Sequence, residues 1–379
     1  MTSSPGDISS GHSSQVTDGR KILVVGAGVA GLAVVRALRR SGAEIEVVER
    51  TTTPDVGGAG IFLPANAVRG LRALGLDDAV LGSAVRIERQ RVADHRDHTL
   101  YEVATESLWQ GIAPTVATRR AALHGALLDS VEDVKIRWGT SPESMVPDGS
   151  GVDVTFDDGA SGRYDLVIGA DGVKSAVRRM VFGGTGLRAP GLHAWRLLGP
   201  RGDTPPVWSV QLGRGVSFLT FPISPDLAYY YCDVSVEDAD DGLAGLVARF
   251  ADPVAELAAA ATVAHTGPIE EVTLDSWSRG HVLLLGDAAH ATTPNMAQGA
   301  AMAVEDALVL ADTLGSTDSI PTALREYEQR RRPRVEWVQQ QSRRRDRTRG
   351  MHPVMRDLLL RTVGKRLYRA NFRGLHTAY

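Results

Sequence analysis

Three glycine-rich segments, far apart in the chain, have the residue types and spacings of a nucleotide-binding site. They are Lys21–Gly31 (KILVVGAGVAG), Asp165–Arg178 (DLVIGADGVKSAVR) and Gly286–Ala307 (GDAAHATTPNMAQGAAMAVEDA). Glycine lets a backbone approach a phosphate closely, and the free N–H groups at a helix start attract anions. One such segment alone is weak evidence. Together and in this order, the three favour a single dinucleotide site built from distant parts of the chain.

The first segment contains the sequence GAGVAG from Gly26 to Gly31, between a predicted strand and a predicted helix. Gly26 permits the tight turn, Gly28 lets the backbone approach a pyrophosphate, and Gly31 lets the helix pack closely on the strand. Glu49 ends the next predicted strand, where its carboxylate can accept hydrogen bonds from a ribose diol. This motif does not distinguish FAD from NAD, and a glycine-rich turn without a ligand is the alternative.

The second segment adds a carboxylate at the end of another predicted strand. Asp171 and Gly172 form a GADG turn, in which Asp171 can receive hydrogen bonds from ribityl or pyrophosphate-side groups and Gly172 allows close approach. An ordinary Asp-Gly turn is the alternative.

The third segment adds a second carboxylate and a helix start. Its carboxylate can accept hydrogen bonds from ribityl hydroxyls, its proline stiffens the loop, and the free N–H groups of its helix would face an anion. The alternative is a capped helix with no ligand. The residues that we assign to the cofactor are Asp287, Pro294, Gly299, Ala300 and Ala301.

The elements that must position these segments are visible as hydrophobic patterns. A βαβ unit is predicted from a strand over Lys21–Gly26, a helix over Val29–Arg40 and a strand over Glu44–Glu49. Helices are predicted over Asn66–Leu74 and Arg119–Leu128. Further strands are predicted over Val152–Phe156, Asp165–Ile168 and Val282–Leu285, and a long helix from about Gln298. Short β-rich runs from Val207 to Val236 indicate an antiparallel sheet, and the chain after Pro321 is helical and rich in arginine.

Composition excludes several other classes of protein. The chain has 379 residues, 43% hydrophobic and 23% charged, and a net charge of −3 gives no general attraction to nucleic acid. The single cysteine, Cys232, excludes an internal disulfide and a CxxC pair, and no metal site is predicted. No apolar run approaches the roughly 18 residues of a membrane span. The Ser/Gly-rich N-terminus is predicted to be a disordered leader rather than a signal peptide, so we expect a cytoplasmic protein.

The set of motifs resembles the FAD-dependent aromatic hydroxylases, which are group A flavoprotein monooxygenases of the para-hydroxybenzoate hydroxylase type. The resemblance extends from Lys21 to about Val335. It also includes Gly58-Ala59-Gly60-Ile61, Arg120 with Leu123, and Ala194-Trp195-Arg196. It implies non-covalently bound FAD, with Arg120 contacting the pyrophosphate or ribityl region. We assign Arg50, beside Glu49, to the cofactor as well.

The resemblance also implies an activity. It implies a monooxygenase that hydroxylates an aromatic or polyketide-like small molecule, in the setting of secondary metabolism. NADPH or NADH would reduce FAD as a transient co-substrate, since no second dinucleotide fold is visible. O2 would then add at flavin C4a, giving a hydroperoxide that transfers one oxygen atom to the substrate. The partners expected are this small molecule and, for a homodimer, a second copy of the chain; a monomer is the alternative, and no stable membrane insertion is expected.

The implied fold is α/β, with a Rossmann-like FAD-binding domain, an inserted and mainly antiparallel β-sheet substrate domain, and a C-terminal helical region. The predicted divisions are a leader over 1–19, a discontinuous FAD-binding domain over 20–85, 110–186 and 275–335, a substrate domain over 86–109 and 187–274, and a C-terminal helical region over 336–379.

The chain departs from the family pattern at two places near the expected flavin. The family commonly has Pro-Asn-Ala after the GAGI stretch, whereas this chain has Pro64-Ala65-Asn66-Ala67. The family commonly has glycine before Gln-Gly, whereas this chain has Ala297, which narrows the backbone freedom of the loop. We therefore expect a loop that is re-shaped beside the ring of the cofactor.

Candidates for substrate contact and catalysis follow from the β-rich part. Trp195 and Arg196 lie where the chain enters the predicted substrate sheet, and Arg196 could hold a carboxylate or phenolate, or form a domain-joining salt bridge. Tyr229 and Tyr231 share one strand face, which looks at either core or pocket. His290 could transfer a proton, or it could make a structural hydrogen bond within the GDAAH turn.

Other functions remain open from the sequence. A flavin-dependent reductase shares the Gly-Asp region, and an epoxidase has the same fold. A redox-inert FAD-binding scaffold is the non-enzymatic alternative. Pocket specificity depends on side chains whose strand register the sequence does not fix, so the substrate, the nicotinamide and the site of oxygenation are not predicted.

Overall fold

The structure is a computed structural model that describes residues 16–54, 59–184, 186–203 and 205–379. Its strands are β1 (Lys21–Val25), β2 (Glu44–Glu49), β3 (Gly60–Leu63), β4 (Val85–Arg86), β5 (Arg89–Asp94), β6 (Thr99–Ala104), β7 (Val116–Arg119), β8 (Ile136–Trp138), β9 (Pro142–Pro147), β10 (Val152–Phe156), β11 (Ser161–Tyr164), β12 (Leu166–Gly169), β13 (Leu187–Arg188), β14 (Leu192–Pro200), β15 (Val207–Leu212), β16 (Val216–Pro222), β17 (Leu227–Ser235), β18 (Thr262–Pro268), β19 (Glu271–Val272), β20 (Ser278–Arg279) and β21 (Val282–Leu284). Its α-helices are α1 (Val29–Leu38), α2 (Ala65–Ala73), α3 (Asp77–Leu81), α4 (Thr105–Trp109), α5 (Arg120–Asp129), α6 (Ala176–Phe182), α7 (Gly242–Val247), α8 (Val254–Ala259), α9 (Asp287–His290), α10 (Gly299–Ser316), α11 (Ile320–Arg349) and α12 (Pro353–Arg373).

A largely parallel sheet brings the three glycine-rich segments together. Its strand order is β20-β21-β12-β1-β2-β8, and all pairs are parallel except β20 with β21. The central strands β1, β12 and β21 are short apolar runs buried on both faces, as parallel strands covered by helices are. The first, second and third segments therefore all turn at the carboxyl edge of adjacent strands. Ligands of open α/β sheets bind at that edge.

A seven-stranded sheet forms the second layer, in the order β18-β14-β17-β16-β15-β5-β6. Its pairs are antiparallel except β15 with β5, which is parallel. The predicted α/β fold with a mainly antiparallel second sheet is confirmed. We propose that these two sheets are the centres of the FAD-binding and substrate domains that the sequence predicts.

Two of the predicted divisions do not match the described elements. Residues 16–19, predicted as the end of a disordered leader, form a turn in which Thr17 is buried and donates a hydrogen bond to Ser41 O at 3.1 Å. The rest of the predicted leader, residues 1–15, lies outside the described residues. A boundary at 336 falls inside α11, which continues as one helix past Pro333. The buried partners of α11 on other elements hold it there, so the helix does not end where the arginine-rich region begins.

Several arginines of α11 are paired with carboxylates elsewhere in the fold. Arg331 and Arg334 bond Glu305, and Arg349 bonds Asp233. This is the salt-bridged arrangement of a helix packed on a folded body. Among the described residues, no helix is long and apolar enough to cross a membrane.

Candidate active site

One large cavity joins the parallel sheet to the seven-stranded sheet. Its volume is about 1440 Å³, and residues from all three glycine-rich segments line it together with residues from β14, β16, β17 and α12. Small-molecule pockets usually measure roughly 300–1,000 Å³. The cavity therefore has room for a dinucleotide and a second, smaller molecule.

The first segment places open backbone at the cavity wall. Gly26 has φ +107°, and a Cβ there would lie 2.5 Å from Ala170 O, so the turn requires glycine. A Cβ at Gly31 would lie 1.9 Å from Gly26 O, which shows how closely α1 packs on the turn. Gly28 lines the cavity and has no neighbour within 4 Å of where a Cβ would be. This free space beside the start of α1 suits the approach of a phosphate.

Glu49 lies beside this turn but does not line the cavity. One of its carboxylate oxygens accepts a hydrogen bond from Ala27 N at 2.8 Å, and the other accepts one from Thr51 N at 3.0 Å. Arg50 and Arg120 are exposed and do line the cavity, from the ends of β2 and β7. Two cations therefore face the space next to the glycine turn.

The second segment carries a buried oxygen without a partner. Asp171 Oδ2 accepts hydrogen bonds from Ala176 N at 2.6 Å and Val177 N at 3.2 Å, which fixes the start of α6. Asp171 Oδ1 is buried and has no hydrogen-bond partner among the described groups, and Asp171 lines the cavity. Gly172 next to it has φ +78° and open space around it. A buried carboxylate oxygen without a donor is uncommon, and a bound hydroxyl group would satisfy it.

The third segment brings its carboxylate and its helix start together. Asp287 is exposed on the cavity wall, and its side chain makes no hydrogen bond or ion pair with a described residue. A Cβ at Gly299, the first residue of α10, would lie 3.9 Å from Asp287 Oδ1. Pro294 and Ala300 line the same wall, whereas Ala301 is fully buried and does not. The helix start thus presents Gly299 and Ala300, but not Ala301, to a ligand.

A buried ionic cluster supports this loop from behind. Asp306 Oδ2 accepts hydrogen bonds from Gly286 N at 3.0 Å and from His290 Nε2 at 2.7 Å, and Oδ1 accepts one from Arg331 Nε at 2.8 Å. Burial would raise the pKa of Asp306, but the positive charges and hydrogen bonds of His290 and Arg331 outweigh it and hold that pKa below its usual value. Asp306 is therefore a carboxylate at neutral pH, and it holds the residue that precedes Asp287.

His290 does not line the cavity. Its ring is buried between Asp306 and Trp277, whose ring centroid lies 5.0 Å away. Of the two roles that the sequence offered for His290, the geometry favours the structural hydrogen bond over proton transfer, because the side chain points away from the cavity and bonds Asp306.

The two departures from the family pattern meet in space. Asn66, inside α2, is buried and donates hydrogen bonds to Gln298 Oε1 at 2.9 Å and to Glu305 Oε1 at 3.2 Å. Ala297, just before Gln298, adopts φ +51°, a left-handed conformation that glycine takes more easily. The loop thus keeps the backbone shape of a glycine position without the glycine, with an amide pair on its flank. Gly58, in the GAGI stretch, lies outside the described residues.

The seven-stranded sheet presents Arg196, Tyr229 and Tyr231 to the cavity. Tyr230, between the two tyrosines, faces the opposite core and donates a hydrogen bond to Pro200 O, as the alternation of a strand requires. The Arg196 guanidinium lies 5.9 Å from the centroid of the Tyr231 ring. Burial raises the pKa of Tyr229 to about 12, against the opposing positive charge of Arg196. Tyr229 is therefore a neutral hydroxyl at physiological pH and can donate a hydrogen bond.

Two groups that sequence reasoning missed also face the cavity. His265 on β18 pairs with Arg196 across the strands, and burial, with the charges of Arg196 and Arg120, lowers its pKa. Asp233 accepts hydrogen bonds from Arg349 Nη2 at 2.7 Å and Tyr231 OH at 3.3 Å, and from Ser217 Oγ. The pairing of His265 with Arg196 and the contact of Arg349 with Asp233 join residues far apart in the chain, so no local motif indicates them.

Trp195 is not among the residues that line the cavity. Its side chain packs on the opposite face of the sheet, against the core that contains Leu197 and Tyr230, with the His193 ring 4.5 Å away. Neighbouring residues of a strand point to opposite faces, so Arg196 and Trp195 cannot both face the substrate. The geometry favours Arg196 for that role and does not favour the contact predicted for Trp195.

The cavity wall fits FAD on its own chemistry. Gly28 leaves open space for a pyrophosphate at the start of α1, and Arg50 and Arg120 supply positive charge beside it. The unpartnered oxygen of Asp171 and the exposed carboxylate of Asp287 can accept hydrogen bonds from hydroxyl groups. A second helix start, at Gly299, can face the anionic edge of a flavin ring. These features lie along one cavity and match the groups of a flavin dinucleotide.

Comparison with known proteins agrees with this fit. The family model described as "FAD binding domain" matches residues 20–197 and 250–342. The chain is 33% identical over 335 residues to the 2-heptyl-3-hydroxy-4(1H)-quinolone synthase of Pseudomonas aeruginosa, covering 85% of this chain and 87% of that protein. It is 34% identical over 342 residues to a 3-amino-4-hydroxybenzoate 2-monooxygenase of Streptomyces cremeus, covering 86% of each.

A solved structure is similar over nearly the whole length. The crystal structure of Klebsiella pneumoniae HpxO complexed with FAD and uric acid superposes with a TM-score of 0.84 at 30% sequence identity. The match covers 94% of this chain and 97% of that one.

Proposed function

The chain belongs to the FAD-dependent aromatic hydroxylases, the group A flavoprotein monooxygenases, and from that premise we propose that its substrate is an aromatic ring carrying an acidic oxygen, held by Arg196, Tyr229 and Tyr231. The observation that carries the proposal is the single cavity in which these three side chains share a space with the three FAD segments. The relatives support an aromatic ring in the substrate, since their names or bound ligands include a quinolone, a hydroxybenzoate and uric acid.

The proposed cofactor contacts follow the cavity wall. Gly28, with the start of α1, would face the pyrophosphate, and Arg50 and Arg120 would balance its charge. Asp171 and Asp287 would accept hydrogen bonds from ribityl hydroxyls. When bound, FAD supplies the redox chemistry, which takes electrons from NADPH or NADH and one oxygen atom from O2.

The protein's own contribution is to hold the ring and favour its anionic form. A guanidinium close to a ring hydroxyl stabilises the ionised oxygen and lowers the pKa of that hydroxyl. An ionised oxygen makes the ring carbons more electron-rich and easier to oxygenate. Arg196 is placed for this work, and Tyr229, protonated at physiological pH, can donate a hydrogen bond to the same oxygen. The buried sheet face excludes bulk water around the ring.

The test is a substrate screen with the purified, FAD-loaded protein. Phenol, 4-hydroxybenzoate, 3-amino-4-hydroxybenzoate and 4-hydroxyquinoline are each added with NADH or NADPH. We expect at least one ring to accelerate NAD(P)H oxidation and to gain one oxygen atom, which isotopically labelled O2 traces to the gas. Reduction without oxygen incorporation would favour a reductase, an epoxide product an epoxidase, and retained FAD without stimulation a redox-inert scaffold.

A matched pair of variants on β14 tests the role of Arg196. Arg196→Met removes the cation from the cavity, and His193→Gln changes a side chain that does not line it. Loss of a charged hydrogen bond of about 1.5–3 kcal/mol predicts a kcat/KM lower by roughly 10–150-fold in Arg196→Met. His193→Gln should stay within about twofold of wild type. Equal losses in both variants would reject Arg196 as the ring anchor. We propose action in the cytoplasm, as a monomer or homodimer.

A further inference from the structure

Helix α12 lines part of the cavity, and five of the side chains that line it on α12 and on the seven-stranded sheet are apolar. On one side, Leu359, Leu360 and Val363 of α12 line it. On the other, Val210 of β15 and Leu219 of β16 line it. The sequence predicted a helical C-terminal region but did not predict which part of the fold this helix packs against. We call the space that these five residues line the apolar chamber, and it belongs to the same cavity as Arg196 and Tyr229.

Helix α12 is fixed in place over the sheet at two points. The buried Arg356 donates hydrogen bonds to Gly213 O at 2.6 Å and Leu212 O at 2.9 Å, at the end of β15. Further along, the Tyr368 ring lies 5.7 Å from the ring of Tyr101 on β6, and a Cβ at Gly364 would lie 2.4 Å from Tyr101 Cδ1. The lack of a side chain at Gly364 lets the helix pack directly against the Tyr101 ring. The apolar stretch of α12 therefore lies between two fixed contacts with the sheet.

The apolar side chains in the chamber are not fully covered by the fold. Leu359 is 38% exposed, and Leu360, Val363, Val210 and Leu219 are partly buried. Exposed apolar surface inside a cavity is covered favourably by an apolar ligand.

The carboxylates that line the cavity near α11 and α12 are already bonded. Asp233 is bonded to Arg349 and Ser217, and Asp346 to Asn295 and Thr293. A ligand that enters the chamber therefore meets no uncompensated carboxylate there. An apolar group can therefore cover the five side chains without burying an unpaired carboxylate.

We propose that the substrate carries an apolar tail, an alkyl chain attached to its ring, and that this tail occupies the chamber between α12 and the sheet. This inference rests on the proposed function for the position of the ring. The leucine and valine side chains of α12 that line the cavity run from Leu359 to Leu367, which at 1.5 Å per residue is about 12 Å. That length matches an extended chain of roughly eight to ten carbons.

The outer face of α12 is the competing site for an apolar chain. Val354 is 70% exposed, Met355 66% and Leu358 64%, and none of them lines the cavity. Val354 can therefore serve as the control for Val363, because the two are the same residue type on different faces of the helix. Leu358 and Leu359 are adjacent leucines, of which only Leu359 lines the chamber.

The experiment measures binding of 4-alkylphenols to the FAD-loaded protein by isothermal titration calorimetry, without NAD(P)H. The tail is lengthened from methyl to nonyl. In wild type and in Val354→Phe, we expect the affinity to rise about two- to fourfold per added methylene until the chamber is full. In Val363→Phe the affinity for 4-methylphenol should stay within about twofold of wild type, and the gain with chain length should stop early. Leu359→Glu should do the same, with Leu358→Glu as its control, in case Val363→Phe does not fold.

Each outcome decides the proposal. The proposal is overturned if the affinity of wild type does not depend on chain length. It is also overturned if the dependence on chain length persists in both Val363→Phe and Leu359→Glu. An effect abolished equally by Val354→Phe or Leu358→Glu places the chain on the outer face and also overturns it. Chain-length-dependent binding without hydroxylation of any alkylphenol would leave the tail site standing and count against the proposed ring chemistry. Hydroxylation without a chain-length effect would do the reverse.

Discussion

Replacing Asp306 with asparagine should loosen the loop that carries Asp287, and the size of the effect follows from the contacts. The carboxylate accepts hydrogen bonds from Gly286 N, His290 Nε2 and Arg331 Nε. Asparagine keeps the shape but loses the charge opposite a buried arginine. Breaking one side of a buried ion pair costs about 3–5 kcal/mol. Because Glu305 still bonds Arg331 at 2.9 Å, we expect the lower end, about 3 kcal/mol.

The assay is urea unfolding of the FAD-saturated protein, followed by circular dichroism and by flavin fluorescence. If the two probes give the same transition, unfolding is two-state and a free energy of unfolding can be calculated from it. The matched control is Asp312→Asn on the same helix. The Asp312 side chain is 62% exposed and paired with Arg330, whereas that of Asp306 is 0% exposed. An exposed ion pair contributes about 0–1 kcal/mol, so Asp312→Asn should change little.

The pH dependence gives a second check on the charge of Asp306. Its pKa is held below the usual value in the folded state, because the charges of His290 and Arg331 outweigh the effect of burial. A lowered pKa adds stability that is complete above the unfolded-state pKa, about 4, and is lost as pH falls through the folded value. The difference between wild type and Asp306→Asn should therefore not decrease as pH falls from about 8 to 5. A difference below about 1 kcal/mol, or one that fades between pH 7 and 5, would refute the ionised cluster.

Three further predictions concern the cofactor loop and the cofactor. Asp287→Ala should weaken FAD binding by roughly 10–150-fold, because a charge-assisted hydrogen bond contributes about 1.5–3 kcal/mol. Fluorescence titration measures the affinity, with Asp312→Ala as the control that should bind FAD like wild type. An unchanged FAD affinity in Asp287→Ala would contradict the assignment. Ala297→Gly should keep or raise the melting temperature, because φ +51° costs alanine about 1 kcal/mol. Ala301→Gly inside α10 should lower the melting temperature. A lower melting temperature in both variants would contradict backbone strain at Ala297. Acid precipitation should release all the FAD into the supernatant, and yellow colour in the pellet would show a covalent link.

The cofactor half of the fold was predictable because its signals are local. The strands and the helix around Gly26 lie within two or three residues of their predicted positions, since apolar period and glycine spacing act over a few residues. The chain from Val152 to Ile168 was predicted less well. The turn at Asp157 leads into β11, an extra strand that pairs with β10 before β12 begins. The run Ser161–Tyr164 has little apolar character, so its pattern did not mark it as a strand.

The substrate half was only partly predictable. Strand alternation placed Tyr229 and Tyr231 on one face, and the same rule, applied to Trp195 and Arg196, would have separated them. The sequence alone did not show which of the two faces the cavity. The position of His265 opposite Arg196 depends on the pairing of β14 with β18, which is about seventy residues away and includes a register shift.

The two halves of the cavity follow different physical rules, and this bears on how substrate range can change. The FAD half is built from backbone at strand ends, where Gly26 and Gly31 leave no room for a side chain. Substitution there alters the turn itself. The chamber half is built from side chains on α12 and on β15 and β16, and partly exposed apolar positions such as Leu360 tolerate changes of size. Because α12 is anchored independently through Arg356 and Gly364, changes at Leu360 should alter the length of chain accepted without moving the cofactor wall. Substrate range in this fold can therefore change through one helix, while the parallel sheet and its three segments stay fixed.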